Sequence, residues 1–189
     1  MTPLPRGAAR IAMWLFLAAL GMLFAAAILA YILIRVTGSQ RPPLGTIALP
    51  CPLWLSTAAL VGVSIALERA CRCVARERQR RFRVWLGAAL IAAAGFIALQ
   101  APSLAALLNT HIAHRAAGAT TLYGLVFTLI GLHACHVAGG LVPLVVTVAR
   151  ARRGRYDHEH YEPVRRLALY WHFLDIVWIV MLAVMWLMG

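Results

Sequence analysis

IAMWLFLAALGMLFAAAILAYILI, residues 11–34, is the stretch that decides the fold class. Twenty-four residues pass without a charge. As a helix they would measure roughly 36 Å, enough to cross a bilayer core of about 30 Å. Lipid offers no partner to backbone N–H and C=O groups, so such a run is read as a helix that satisfies its own backbone. It is also longer than a signal-peptide core of about 7–15 residues, and Arg35 follows it with no clear cleavage site. It reads as a retained first helix.

Four more apolar runs follow, from about Pro50 to Leu67, Val84 to Leu108, Thr121 to Ala149 and Leu167 to Met188. The expected fold is an all-α bundle of five transmembrane helices forming a single domain over residues 1–189. Breakers fall between the runs: Gly38, Pro42, Pro43, Gly45, Pro50 and Pro52 after the first, Pro102 and Ser103 near the end of the third. Asn109 to Thr120 is read as closing the third run, and Arg150 to Arg166 as a polar connection.

Composition agrees. Hydrophobic residues are 62% and charged residues 13% of the 189, against about 25% charged in a soluble domain. Mean hydropathy is +0.80. A disordered chain and a disulfide-stapled secreted domain are excluded. The net charge of +12 would point to nucleic acid in a soluble protein. Here membrane topology accounts for it. All 18 basic residues are arginine. With five helices, 15 arginines fall on the side of the N-terminus and the second and fourth loops, and 3 (Arg35, Arg41, Arg115) on the other. Cytoplasmic loops collect basic residues, so the N-terminus is expected inside and the C-terminus outside, on the periplasmic face. The run from Arg69 to Arg83 reads as a loop meeting anionic headgroups. An acidic partner is the sharper alternative.

Polar residues at membrane depth are functional candidates by default. They are His133 and His136 in the fourth run and His172 and Asp175 in the fifth. His172 and Asp175 are three apart and share a helical face. Their pairing, or contact with the fourth-run histidines, would lower the cost of burying the carboxyl. His133, His136 and Gly140 form one stripe; Gly131, Cys135 and Gly139 form another, whose small side chains would allow close helix approach. The histidine stripe would then be free to meet another helix or subunit. Histidine, cysteine and aspartate are metal-ligand types, but Cys135 lies off the histidine face, so interhelical hydrogen bonding is the plainer role. Cys71 and Cys73 make one C-x-C without a second pair. No P-loop, G-x-S-x-G or H-E-x-x-H is present. In the fourth connection Asp157, His158, Glu159, His160 and Glu162 alternate acids with imidazoles. This is either a solvated loop or a surface proton collector.

The last two runs carry a more specific pattern. Gly131-Leu-His-Ala-Cys-His-Val-Ala-Gly-Gly140 and Tyr170-Trp-His-Phe-Leu-Asp-Ile-Val-Trp178 resemble subunit III of haem–copper oxidases. Met13 to Ala18, Met22 to Phe24 and Tyr31 are similar to that family's first helix in its short form; Leu55-Ser56-Thr57 and Gln100 match weaker positions. Five helices with the N-terminus inside fit the short bacterial form. The resemblance implies a non-catalytic subunit of a respiratory oxidase in the inner membrane. It would have no haem, copper or other metal of its own and would pack on catalytic subunit I, with subunit II nearby. It would hold phospholipid and support assembly and proton uptake. Trp178, with His172 and Asp175, would fix the fifth helix in the bundle, and His133 and His136 would face it. Two positions depart from the family. Ala19-Leu20-Gly21-Met22 replaces a glutamate-bearing segment, and Arg165 replaces a glutamate five residues before Tyr170. The related subunit of nitric oxide reductases, and a small transporter or proton channel, are the alternatives.

Overall fold

The computed structural model describes residues 6–37, 51–116, 121–156 and 161–188. Five helices follow in chain order: α1 (Arg6–Thr37), α2 (Cys51–Ala75), α3 (Gln79–Ala116), α4 (Thr121–Arg152) and α5 (Glu162–Met188). Four of them, α1, α3, α4 and α5, are long and apolar enough to cross a membrane. The described part of α2 ends in two turns bearing Glu68, Arg69 and Arg72, and α2 is outside that set.

Most helices run past the apolar stretches that announce them. The arginine run at 69–83 is not a loop. α2 continues to Ala75, α3 begins at Gln79, and only Arg76 to Arg78 form a turn. Arginine is a good helix former, so charge alone does not end a helix. The stop is local. Arg78 N–H donates to Cys73 O (2.9 Å) and Glu77 N–H to Val74 O (3.0 Å), with Glu77 at φ 58°. This is a Schellman stop, in which the left-handed residue is usually glycine. α4 ends the same way, with Gly154 at φ 67° and Arg155 N–H on Arg150 O. α3 also passes through Pro102 and extends to Ala116, beyond the expected end near Leu108. α5 starts at Glu162, five residues before the apolar run, with Pro163 in the first turn, where its missing N–H is harmless.

The helices pack as a ring, α2 on α3, α3 on α4, α4 on α5 and α5 back on α2, with α1 laid into the groove between α4 and α5. α1 presents Leu17, Leu20, Phe24 and Tyr31 to that groove, a stripe at helical spacing. Leu20 is 6% exposed and packs with Phe24, Leu129, Val177 and Met181. The opposite face of α1, including Ile11, Leu15, Met22, Leu29 and Leu33, is bare hydrocarbon. Arg35 Nε donates to Met188 O (2.8 Å), tying the ends of α1 and α5 together and supplying a donor to a terminal carbonyl. At the other end Gln79 Nε2 donates to Tyr156 O (3.0 Å), and Arg69 lies 4.9 Å over the Trp85 ring.

α5 is the hub. It touches α1, α2 and α4, and Leu167, Ala168, Trp171, Leu174, Asp175, Val177, Trp178 and Met181 are buried along it. In lipid, burying one apolar side chain against another gains packing but little transfer energy. Shape fit and polar contacts at α5 therefore decide how the bundle closes.

Candidate functional site

Two seams run along α5, one toward α4 and one toward α2, and the sequence-nominated residues divide between them.

The α4 seam is closed. His133 is 1% exposed, and its ring stacks on Trp178 with centroids 5.0 Å apart and planes 27° apart. Phe96 of α3 meets the Trp178 ring edge-on at 5.8 Å, and Phe24 of α1 lies 6.2 Å from His133. Trp178 Nε1 donates to Thr57 Oγ1 of α2 (3.0 Å). One aromatic cluster thus joins all five helices, with each ring pair contributing on the order of 0.5–1.5 kcal/mol beyond area burial. One turn along, His136 Nδ1 lies 2.7 Å from Leu132 O, so the ring carries its N–H there. Tyr170 O–H donates to His136 O (2.8 Å).

The close approach of the two helices falls at Gly140. A Cβ there would stand 2.7 Å from Tyr170 Cε1 and 3.4 Å from Trp171 Cζ2. The small stripe Gly131, Cys135, Gly139 does not make this approach. Nothing lies within 4 Å of a Cβ at Gly131 or Gly139, and Cys135 is exposed. The roles expected of the two stripes are therefore exchanged. The histidine stripe faces inward because it ends in the glycine that Tyr170 and Trp171 require. The other stripe faces outward.

The α2 seam is packed along its inner edge, where Leu60, Val63 and Leu67 share a core with Trp171 and Leu174, and is open along its outer edge. Asp175, 8% exposed, turns away from the α4 histidines toward Ser64. Ser64 is close enough to act on the carboxyl, but neither Ser64 Oγ nor Asp175 Oδ1 is in a hydrogen bond. His172 does not pair with Asp175; its Nε2 is 3.9 Å from Glu68 Oε2, and both side chains are half-exposed. Glu68 also accepts from Arg72 Nε (3.0 Å). These residues line a cleft of about 670 Å³ between α2 and α5, walled by Val61, Ile65, Ile176 and Ile179. A second crevice of about 420 Å³ lies toward the arginine-rich end, where Arg10, Arg72, Arg165 and Arg166 surround Glu68 and Glu162.

Among the described residues no three His, Cys, Asp or Glu side chains come together as a metal-ligand set. His133 is enclosed by rings, and His136 and His172 lie on opposite seams. Asp157, His158, Glu159 and His160 lie outside the described residues; Glu162 is exposed at the start of α5. Beyond the apolar part of α2, burial pushes the Cys71 thiol up to about 11, with the charge of Glu68 adding to it. Thr57, Glu68 and Tyr170 were not singled out for a site by the sequence. Thr57 and Tyr170 fall within the stretches that carry the family resemblance, and Glu68 follows Ser64 at i+4 and precedes Arg72 at i+4, a polar edge continuing an apolar helix.

Comparison with known proteins bears on the whole chain. The family profile described as cytochrome c oxidase subunit III matches residues 4–189. The chain belongs to the cytochrome c oxidase subunit III family. This subunit III is 29% identical over 181 residues to cytochrome c oxidase subunit 3 of Bacillus subtilis, covering 93% of this chain and 84% of that one. It is 28% identical over 177 residues to the cytochrome bo(3) ubiquinol oxidase subunit 3 of Pseudomonas aeruginosa, covering 93% and 83%. A probable quinol oxidase subunit 3 of Staphylococcus aureus matches at 25% over 183 residues, covering 95% and 89%. The chain is thus a subunit III of a haem–copper oxidase of cytochrome c or quinol type, a membrane protein associated with other oxidase subunits.

Proposed function

We propose that the chain is a non-catalytic subunit of a proton-pumping respiratory terminal oxidase in the bacterial inner membrane, acting in assembly, lipid binding and proton uptake. The observation that supports this best is the closed α4 seam. Its nominated histidines meet rings of other helices, His133 on Trp178 and His136 on Phe24, which supports a role as glue between helices rather than as ligands of a redox centre. Haem and copper then belong to the partner subunits, catalytic subunit I and subunit II. The donor, cytochrome c or quinol, is a property of those partners, since relatives carry both names.

The proposed topology has five spans, α2 included, with the N-terminus cytoplasmic and the C-terminus periplasmic. It is supported by the arginine partition and by α1 and α5 ending side by side at the Arg35–Met188 contact. Lipid binding is supported by the arginine crevice, whose guanidinium groups suit a phosphate headgroup. Proton uptake is supported by the acids and imidazoles near the same end.

The test is purification of the tagged chain from mild-detergent extracts of its own membranes. The expected result is co-elution with haem-bearing and copper-bearing polypeptides. After those partners are stripped away, the chain alone should be colourless. A chain that elutes without haem-bearing partners, or that keeps a Soret band alone, would contradict the proposal.

A further inference from the structure

The unsatisfied polar atoms of the described residues fall into two groups. His133 and Trp171 are enclosed within the bundle. Ser64 Oγ and Asp175 Oδ1 line the α2–α5 cleft, which opens sideways out of it. The outer faces of α1 and α4 are apolar where α5 carries Asp175, with Trp14, Leu15, Phe16 and Met22 exposed on α1 and Val142, Val145 and Val146 on α4. The cleft is also flanked by exposed Ile65, Ile176 and Ile179. It is thus a groove with hydrocarbon lips over a serine hydroxyl, which can donate or accept, and one carboxyl oxygen without a hydrogen bond.

Lipid tails cannot donate a hydrogen bond, and leaving a polar group unsatisfied in hydrocarbon is costly. A carboxyl at this depth therefore calls for a donor that arrives within the membrane plane. Aliphatic walls suit a helix, and the unsatisfied Asp175 oxygen suits one hydroxyl, amide or ammonium side chain on it. We propose that the α2–α5 cleft seats a donor-bearing transmembrane helix of a partner oxidase subunit, with Asp175 and Ser64 receiving its donor. This rests on the reading of the chain as an assembled oxidase subunit and names the face that assembly uses. α1 then faces lipid. Glu68, His172, Arg69 and Arg72 form the mouth of the cleft and would meet the partner where water begins.

The experiment is photo-crosslinking in native membranes, with benzoylphenylalanine at position 176 or 65 and, as comparison, at position 15 or 33 on α1, which lie off the shallow groove that Ile176 and Leu29 share. The tagged complex is purified, its haem is measured, and adducts are mapped by mass spectrometry. Positions 176 and 65 should join one apolar helix of a haem-bearing or copper-bearing partner, with a donor side chain within a turn of the adduct. Positions 15 and 33 should give lipid adducts. Asp175→Leu should lower the adduct yield at 176 about tenfold, the scale of one interhelical hydrogen bond, and Asp175→Asn should lower it less. Ser64→Ala checks the pair without touching α5. Lipid adducts at 176 and 65, or a partner adduct on α1, with haem still co-purifying, would overturn the proposal while leaving the oxidase reading intact. Loss of haem from the wild-type complex would instead overturn the oxidase reading.

Discussion

The two seams of α5 are built from similar residue types and solved in opposite ways. Toward α4, His133 and Trp178 stack, Tyr170 reaches the His136 carbonyl, and Gly140 lets the helices close. Toward α2, Asp175 and Ser64 sit side by side with an acceptor and a hydroxyl unused above an open cleft. The difference teaches that a polar residue at membrane depth can serve the fold or wait for a neighbour. Its hydrogen-bond account separates the two cases better than its identity does.

The contrast can be broken by substitution. Trp178→Ala removes the ring that Thr57, Phe96 and His133 all hold, and should cost about 3–5 kcal/mol, read by unfolding of the purified chain in detergent. Retained stability would show that the closed seam does not hold the bundle. Gly140→Ala forces the Tyr170 ring aside and should cost about 1–3 kcal/mol. Gly139→Ala, with nothing within 4 Å, should stay within about 0.5 kcal/mol. Equal effects at the two glycines would erase the distinction between the stripes. Gly154→Ala places a Cβ at φ 67° and should cost about 1 kcal/mol.

pH sharpens the picture at the α2 end. The raised Cys71 pKa means the unreactive thiol persists well above neutrality, because alkylation needs the thiolate. In a chain with Cys71 as its single cysteine, maleimide labelling should still be accelerating between pH 8 and pH 10. A rate that levels near pH 9 would mean the thiol is open to water. The smallest effect on the chain itself is expected from Asp175→Leu. It deletes a carboxyl whose Oδ1 makes no hydrogen bond, so stability should be unchanged or slightly raised in the same unfolding assay.

Much of this architecture was legible in the sequence. Apolar length gives the helices, because lipid leaves the backbone no other choice. The His133, His136, Gly140 spacing gives a shared face. Their ends were less legible. α2 and α4 run past their apolar stretches because their termination at Glu77 and Gly154 depends on a local left-handed residue, which hydropathy does not register; α3 and α5 exceed theirs as well. Which stripe of α4 points inward was also hidden. That choice is made by Tyr170 and Trp171 on another helix, whose rings need the space at Gly140. The pairing of Trp178 with Thr57 spans 121 positions and has no local signature. Asp175 was visible as a costly carboxyl, but only the packed structure separates it from the histidines it was expected to meet.

The most direct test of the two-seam account is the amount of haem recovered per tagged chain from native membranes, compared between wild type and Asp175→Leu. The account predicts a folded Asp175→Leu chain that elutes with about tenfold less haem-bearing partner on detergent dilution. An Asp175→Leu chain that keeps its full complement of haem-bearing partner, or one that unfolds, would contradict it.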